Sequence, residues 1–255
     1  MLRSRIIPVL LMKNESLVKT VRFNKFNYIG DPVNTACIFN ELEVDELMLL
    51  DIRASISNYD PKFKILKEIA GECFMPLSYG GGIKNLVQAE YIFKLGFEKI
   101  VINSEIIINP EFIKSLTNKF GSQAIIGSMD IKKDIFGKYM VYTLSGTKKT
   151  KYSPIEYAQY IESLGFGEIL LTNIDKEGTW NGFDIEIVKA VSDTVSIPVI
   201  AHGGAGSETD VSLALKNGNA SAVALGNLVT YQKKNMGVLI NFSETLKKLI
   251  TLSNL

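Results

Sequence analysis

Short apolar runs alternate along the chain with longer segments in which apolar residues recur every three to four positions. The short runs have the length of buried strands, whereas the longer segments have the period of amphipathic helices. Eight strands are predicted in this way: Arg5–Leu11, Glu46–Ile52, Pro76–Tyr79, Lys99–Asn103, Ala124–Asp130, Glu168–Asn173, Val199–His202 and Ala222–Leu225. Because strands that alternate with helices pair in parallel, eight repeats predict a closed (β/α)8 TIM barrel.

The second half of the chain repeats the first. The stretch M-P-L-S-Y-G-G-G-I at 75–83 resembles I-P-V-I-A-H-G-G-A-G at 197–206, and Pro76 and Pro198 are 122 positions apart. The same offset separates Gly82 from Gly204. Each stretch predicts a strand that opens into a glycine loop, where backbone N–H groups can approach an anion. The pattern predicts two similar half-barrels with one phosphate cradle each, and a ligand with a phosphate at each end.

Composition narrows the class of protein. The 255 residues suit one barrel domain over 1–255, and a net charge of +1 gives no reason to expect nucleic acid or a membrane surface as a partner. Cys37 and Cys73 lack metal or redox spacing, so we predict buried structural thiols in a reducing compartment. Neither a metal nor a cofactor is expected. No apolar run approaches 18 residues, and we expect a cytoplasmic protein.

Two long inserts, 12–30 and 131–152, follow the first and fifth strands and are expected to cover the C-terminal mouth of the barrel. Reactive groups of such barrels project from the C-terminal strand ends. These ends carry Leu11, Asp51, 79–82, Asn103, Ser104, Asp130, 172–175, 202–204, Gly226 and Asn227.

Several segments together resemble the cyclase subunit of imidazole glycerol phosphate synthase, the glutamine-dependent enzyme of histidine biosynthesis. They are R-I-I-P at Arg5, G-D-P-V at Gly30, D-E-L-x-L-L-D-I at Asp45, G-G-G-I at Gly80, I-N-S at Ile102, F-G-S-Q at Phe120, G-x-G-E-I-L-L-T at Gly165 and P-V-I-A-x-G-G-A-G at Pro198. The resemblance runs from Arg5 to about Leu249. It implies a glutaminase partner, forming a heterodimer, docked at the N-terminal face of the barrel.

In the family that this chain resembles, ammonia enters through a ring of charged residues at the barrel bottom. The matching residues are Arg5, Glu46, Lys99 and Glu168. Each lies at the N-terminal start of a predicted strand, so a closed ring is expected. A salt-bridged plug is the alternative to an ammonia gate.

The resemblance also assigns ligand-binding positions. Phosphate binding is expected at Gly82, Asn103 and Ser104 on one side, and at Gly178, Gly204, Leu225 and Gly226 on the other. Lys19 matches a mobile-loop lysine that helps to close over the ligand, although a loop lysine taken alone is usually solvated. Asp51 and Thr172 match residues near the middle of the ligand.

The chain departs from the family at the catalytic positions. The family uses an aspartate at the end of strand one as base and another at the end of strand five as acid. Asp130 matches the second, but Leu11 stands at the first and cannot accept a proton. Glu177 replaces an aspartate, and His202, the one histidine of the chain, replaces a serine. His202 is therefore a candidate base or phosphate ligand, or a neutral hydrogen-bonding replacement.

The segments L-V-K-T-V-R-F-N-K-F-N-Y-I-G-D-P and I-F-N-E-L-E-V-D-E-L resemble a divergent branch found in bacterial surface-polysaccharide clusters. Proteins of that branch work with a glutaminase and an ATP-dependent amidotransferase that makes acetamidino sugars. Three functions stay open: an ammonia-conducting subunit with reduced ring closure, which Leu11 favours; a genuine cyclase and lyase; and the sister isomerase. The isomerase is disfavoured because it needs an acidic residue after strand one and no ammonia gate.

Overall fold

The computed structural model describes residues 4–252, so residues 1–3 and 253–255 of the predicted domain lie outside the described part. Its strands are β1 (Arg5–Lys13), β2 (Ser16–Val21), β3 (Asn24–Gly30), β4 (Leu47–Asp51), β5 (Leu77–Gly80), β6 (Lys99–Ile102), β7 (Ile125–Lys133), β8 (Tyr139–Thr143), β9 (Lys148–Lys149), β10 (Glu168–Asn173), β11 (Val199–His202) and β12 (Ala222–Leu225). Its helices are α1 (Pro32–Glu41), α2 (Ala54–Ser57), α3 (Phe63–Gly71), α4 (Leu86–Lys94), α5 (Glu105–Ile108), α6 (Pro110–Phe120), α7 (Pro154–Ser163), α8 (Ile185–Ser192), α9 (Glu208–Lys216), α10 (Asn227–Thr230) and α11 (Glu244–Leu252).

Eight parallel strands close into a barrel. Their order is β10-β11-β12-β1-β4-β5-β6-β7, and β7 pairs with β10 to close the circle. The first barrel strand pairs in register with the last, Arg5 opposite Ala222. All eight predicted strands are therefore confirmed, as is the predicted (β/α)8 fold.

The barrel has two apolar layers. Side chains that alternate along the strands fill the lumen, among them Ile7, Val9, Leu11, Met48, Val101, Ile126, Leu170 and Ile200. The intervening side chains pack outward against the helices in a larger cluster. Between residues 4 and 252 no helix has the length and apolar character needed to cross a bilayer. Because the lumen residues are apolar, the polar residues at each end of the barrel are separated by an apolar middle section.

Helix starts follow the predicted signals. The Asp31 side chain accepts a hydrogen bond from the Asn34 N–H at 2.9 Å, with Pro32 in the first helical turn of α1. Ser153 and Glu156 form a reciprocal capping box at the start of α7. These caps fix the end of each long insert at the point where the helix begins.

The two long inserts are β-hairpins rather than irregular loops. β1 continues past Leu11 and pairs with β2, which pairs with β3, while β7 continues into a hairpin with β8 and β9. The predicted strand ends at Leu11 and Asp130 were therefore too early, because the barrel strands extend beyond the mouth as hairpin arms. The first hairpin contacts the loop after β10, where the Arg22 N–H donates to the Glu177 carbonyl at 3.0 Å.

Candidate functional site

Four charged side chains form a closed ring at the N-terminal end of the barrel. The Arg5 guanidinium lies 2.9 Å from Glu46 Oε2 and 2.6 Å from Glu168 Oε2. Lys99 Nζ closes the other side, at 3.3 Å from Glu46 Oε2 and 2.8 Å from Glu168 Oε1. The charges alternate in sign around the circle. The closed ring expected from the sequence is thus present.

Pairing offsets the cost of burying these charges. Burial lowers the pKa of Arg5, but the hydrogen bonds and negative charges of Glu168 and Glu46 outweigh it and raise the pKa above its ordinary value. Among the described residues, Glu46 Oε1 and Ser78 Oγ are buried without hydrogen-bond partners. Both residues alternate with outward-facing ones, so these atoms offer polar contacts to a small molecule on the inner side of the ring.

A cavity of about 300 Å³ lies at the opposite, C-terminal end. It brings together most of the predicted mouth residues, namely Leu11, Asp51, Gly82, Asn103, Ser104, Asp130, Thr172 and His202. The barrel therefore has a charged ring at one end and, at the other, a cavity that contains several polar side chains; the apolar lumen joins the two.

Asp130 is set up to exchange a proton near neutral pH. Burial raises the pKa of this carboxyl to about 7, although hydrogen bonds from Asn103 and Thr172 oppose the shift. Asn103 Nδ2 donates to Asp130 Oδ2 at 3.0 Å. A general acid works best when its pKa lies near the working pH, so Asp130 suits that role.

Leu11 occupies the position where the resemblance places the base. Its side chain is buried, lines the cavity and packs with Val18 of the neighbouring strand in the lumen cluster. An aspartate here would face the same cavity as Asp130. The replacement removes a proton acceptor from the cavity and leaves the cavity wall intact.

The first glycine cradle is open to the cavity and is held by Asp51. The Asp51 carboxylate accepts the N–H groups of Arg53 and Ala54 and the Tyr59 hydroxyl, the last at 2.8 Å. Gly82 has φ +70°, and a Cβ there would lie 2.6 Å from the Tyr59 carbonyl oxygen. Gly82 is therefore required by the turn itself. Phosphate binding at Gly82, expected from the resemblance, stays a prediction.

The second cradle is filled by Lys19. This side chain is only 3% exposed, and its Nζ lies 3.5 Å from Glu177 Oε1 and against Gly226. The space left between them is about 10 Å³. The solvated lysine that the loop position alone suggested is wrong, because the first hairpin places Lys19 inside the barrel mouth.

At the other predicted residues of the second cradle, the packing of the protein itself explains the residue type. A Cβ at Gly178 would collide with the Thr20 carbonyl, and one at Gly204, which has φ +116°, with the Gly182 carbonyl. The Leu225 side chain packs in the outer cluster, so it can offer a ligand only its backbone.

His202 has the properties of a neutral hydrogen-bonding group. Burial, with a contribution from the Lys19 charge, lowers the pKa of His202 to about 3. Its Nδ1 lies 3.1 Å from Thr172 Oγ1. A group with this pKa is a weak base at neutral pH, so the geometry favours the neutral replacement over the catalytic base among the sequence-based alternatives.

Sequence reasoning missed several polar residues at the mouth, among them Ser128 and Ser145 of the cavity wall and Tyr59, whose hydroxyl donates to Asp51. Ser145, in the second hairpin, donates to the Ile52 carbonyl at 2.7 Å, and the neighbouring Leu144 N–H donates to Ser104 Oγ at 3.2 Å. Ser128 could have been found, since it alternates with Asp130 on one strand. Tyr59 and Ser145 lie in loops with no periodic signal.

Comparison with known proteins agrees with this geometry. The family model described as "Histidine biosynthesis protein" matches residues 5–235. A Pseudomonas aeruginosa protein provisionally named imidazole glycerol phosphate synthase subunit hisF2 is 47% identical, over 97% of this chain and 98% of that protein. Imidazole glycerol phosphate synthase subunit HisF of Alkaliphilus metalliredigens is 40% identical, over 91% and 92%, and that of Chlorobaculum tepidum is 38% identical, over the same shares.

These matches span nearly the whole barrel, including both ends of the lumen. The chain belongs to the histidine biosynthesis protein family, in the group of HisF-type cyclase subunits of imidazole glycerol phosphate synthase and their paralogues.

Proposed function

We propose that the protein is the ammonia-conducting subunit of a glutaminase complex and has lost most of its own ring-closing activity. The glutaminase binds the N-terminal face as a heterodimer, and ammonia passes the ring formed by Arg5, Glu46, Lys99 and Glu168. An ATP-dependent amidotransferase that makes acetamidino sugars receives the ammonia. The observation that carries the proposal is a complete charged ring below a mouth in which Leu11 stands at the position of the base.

The lumen suits neutral ammonia. An ammonium ion would lose most of its hydration among the apolar side chains, whereas ammonia carries no charge and needs few hydrogen bonds. The unpartnered Glu46 Oε1 can accept an ammonia N–H just inside the ring. Ions are therefore rejected by the same apolar section that admits ammonia.

Identity with the relatives supports a divergent branch. The proteins provisionally named hisF2, from Pseudomonas aeruginosa, and hisF3, from Vibrio vulnificus, are 47% and 44% identical to the chain. The subunits named HisF without qualification in Alkaliphilus metalliredigens and Chlorobaculum tepidum are 40% and 38% identical. The chain is thus more similar to the two proteins named hisF2 and hisF3 than to these two HisF subunits.

The second candidate is a genuine cyclase and lyase that forms imidazole glycerol phosphate and aminoimidazole carboxamide ribotide. The pKa of Asp130 favours this candidate. Burial raises that pKa to about 7, which suits a general acid, whereas a protein that only conducts ammonia needs no general acid. In either case we propose that phosphates bind at Gly82, Asn103 and Ser104 and, once Lys19 moves, at 178, 204, 225 and 226. Asp51 and Thr172 would face the middle of the ligand.

Turnover with ammonium salt separates the two candidates. Given the phosphoribulosyl-formimino-carboxamide ribotide, the purified protein should turn over roughly 10²–10⁴-fold more slowly than an ordinary cyclase, because one acid–base group is missing. Leu11→Asp should restore part of the rate, whereas Leu11→Asn, of similar shape but without a base, should not. Near-normal turnover of the unmodified protein would exclude a lost ring-closing activity. The melting temperature of each variant checks folding.

A further inference from the structure

A second cavity, of about 760 Å³, lies on the outer side of the first hairpin. Its walls are the hairpin, the loop 178–181 after β10 and the segment 227–236 after β12. Thr20 and Asn24 line both this cavity and the mouth cavity, so the hairpin separates the two. We refer to it as the outer cavity.

The outer cavity is lined by positive charge. Lys19, Arg22, Lys25 and Lys234 contribute to its walls, and no aspartate or glutamate does so among the described residues. Lys19 is paired with Glu177, but Lys25 and Lys234 are exposed at the rim. Unbalanced cations in a concave wall raise the local concentration of anions. The expected ligand is therefore negatively charged.

Two aromatic rings form part of the same wall. The ring centroids of Trp180 and Tyr231 are 6.5 Å apart, with 49° between their planes, and both residues are half-buried. Trp180 has φ +64°, which is rare for a bulky side chain and costs conformational energy. The strained backbone conformation is found at a residue that lines the outer cavity. A planar ring of the ligand would find a stacking surface there.

Two residues of the inner wall carry buried polar atoms that the protein leaves unused. Asn227 Oδ1 and Thr20 Oγ1 are buried and have no hydrogen-bond partner among the described residues. Asn227 Nδ2 donates to the Gly178 carbonyl at 3.0 Å, which fixes the amide with Oδ1 as the free acceptor. Buried polar atoms without partners are uncommon in folded proteins. A ligand hydroxyl or amino group would satisfy Asn227 if binding brings its buried Oδ1 to the cavity surface.

We propose that the outer cavity binds a nucleoside phosphate. Lys25 and Lys234 hold the phosphate, the base stacks on Trp180 and Tyr231, and a ligand donor reaches Asn227 Oδ1. The volume is within the range of small-molecule sites. The outer cavity shares Lys19 and Gly178 with the second phosphate site proposed above, whereas Lys25, Lys234, Trp180 and Tyr231 have no part in that site or in ammonia passage.

Trp180 is the one tryptophan of the chain, so its fluorescence reports on this cavity alone. AMP and UMP, corrected for their absorbance, should quench the emission saturably, with dissociation constants that rise with NaCl because screening weakens the phosphate contacts. Ribose 5-phosphate and adenosine each lack half of the proposed contacts and should bind about tenfold more weakly or worse.

Paired variants make the assignment specific. Lys25→Ala together with Lys234→Ala should raise the dissociation constant of the nucleotide about tenfold, corresponding to the loss of two charge contacts. Lys67→Ala together with Lys216→Ala, exposed lysines elsewhere on the barrel, should leave it unchanged. The proposal is overturned if neither nucleotide quenches Trp180 saturably, if inorganic phosphate binds as well as AMP, or if both double variants bind AMP equally.

Discussion

The two glycine cradles at the barrel mouth come from repeated sequence but differ in state. The first, at Gly82, opens into a cavity of about 300 Å³. The second, at Gly204, retains about 10 Å³ because Lys19 fills it and pairs with Glu177. The glycines determine the course of the backbone in both, while a side chain from a distant hairpin decides whether the space is empty. Internal repetition thus predicts the backbone shape of a site. It does not predict whether a side chain from elsewhere in the chain fills that site.

The largest expected effect comes from removing the lysine that fills the second cradle. Lys19→Ala leaves the buried Glu177 carboxylate without its cation and should lower the free energy of unfolding by about 3 kcal/mol or more. Adding Glu177→Gln should recover most of this loss, because no buried charge remains. Chemical denaturation measures both. If Lys19→Ala is as mild as the exposed control Lys216→Ala, the ion pair does not hold the cradle shut.

The glycines themselves give the next largest effect. Gly204→Ala and Gly82→Ala each place a Cβ against a carbonyl in a left-handed backbone, and each should lower the free energy of unfolding by about 2–3 kcal/mol. Gly71→Ala, with no atom within 4 Å of the new Cβ, is the matched control and should be close to neutral. A variant that keeps its stability but loses phosphate binding would show that the glycines serve the ligand instead.

The titrating groups beside the cradles should have opposite pH dependence. Asp130, whose pKa is raised to about 7, binds a proton more tightly in the folded state, so its contribution to stability is lost as pH rises from about 4 to 7. His202, whose pKa is lowered to about 3, binds a proton more tightly when unfolded, so its contribution is lost as pH falls from about 6.5 to 3.

Single variants separate the two opposite changes of unfolding free energy with pH. Between pH 4 and 6.5, Asp130→Asn should leave stability that rises with pH, and His202→Asn should leave stability that falls, each by up to about 1.4 kcal/mol per pH unit. In the unmodified protein the two should largely cancel. Unfolding free energies measured across this range check the signs, and parallel curves for the two variants would contradict the assignment.

The sequence was sufficient for the barrel and for its ring. Strands that are buried on both sides appear in the sequence as apolar runs. Charged residues begin four of these runs at equivalent positions, namely Arg5, Glu46, Lys99 and Glu168. The burial of Lys19 could not be predicted, because its partner Glu177 lies 158 positions away and meets it only when the hairpin folds over the mouth. The hairpins were likewise hidden, since their strands are short and lack a long apolar run.

Ammonia leakage tests the central claim most directly. In the complex with its glutaminase, the ammonia that appears in solution per glutamate formed should be low if the ring and the apolar lumen connect the two sites as proposed. Lys99→Ala removes one side of the ring and should raise this ratio several-fold while the barrel remains folded, whereas Lys67→Ala should not. Failure to bind any glutaminase, or an unchanged ratio in Lys99→Ala, would show that the ring is a structural plug.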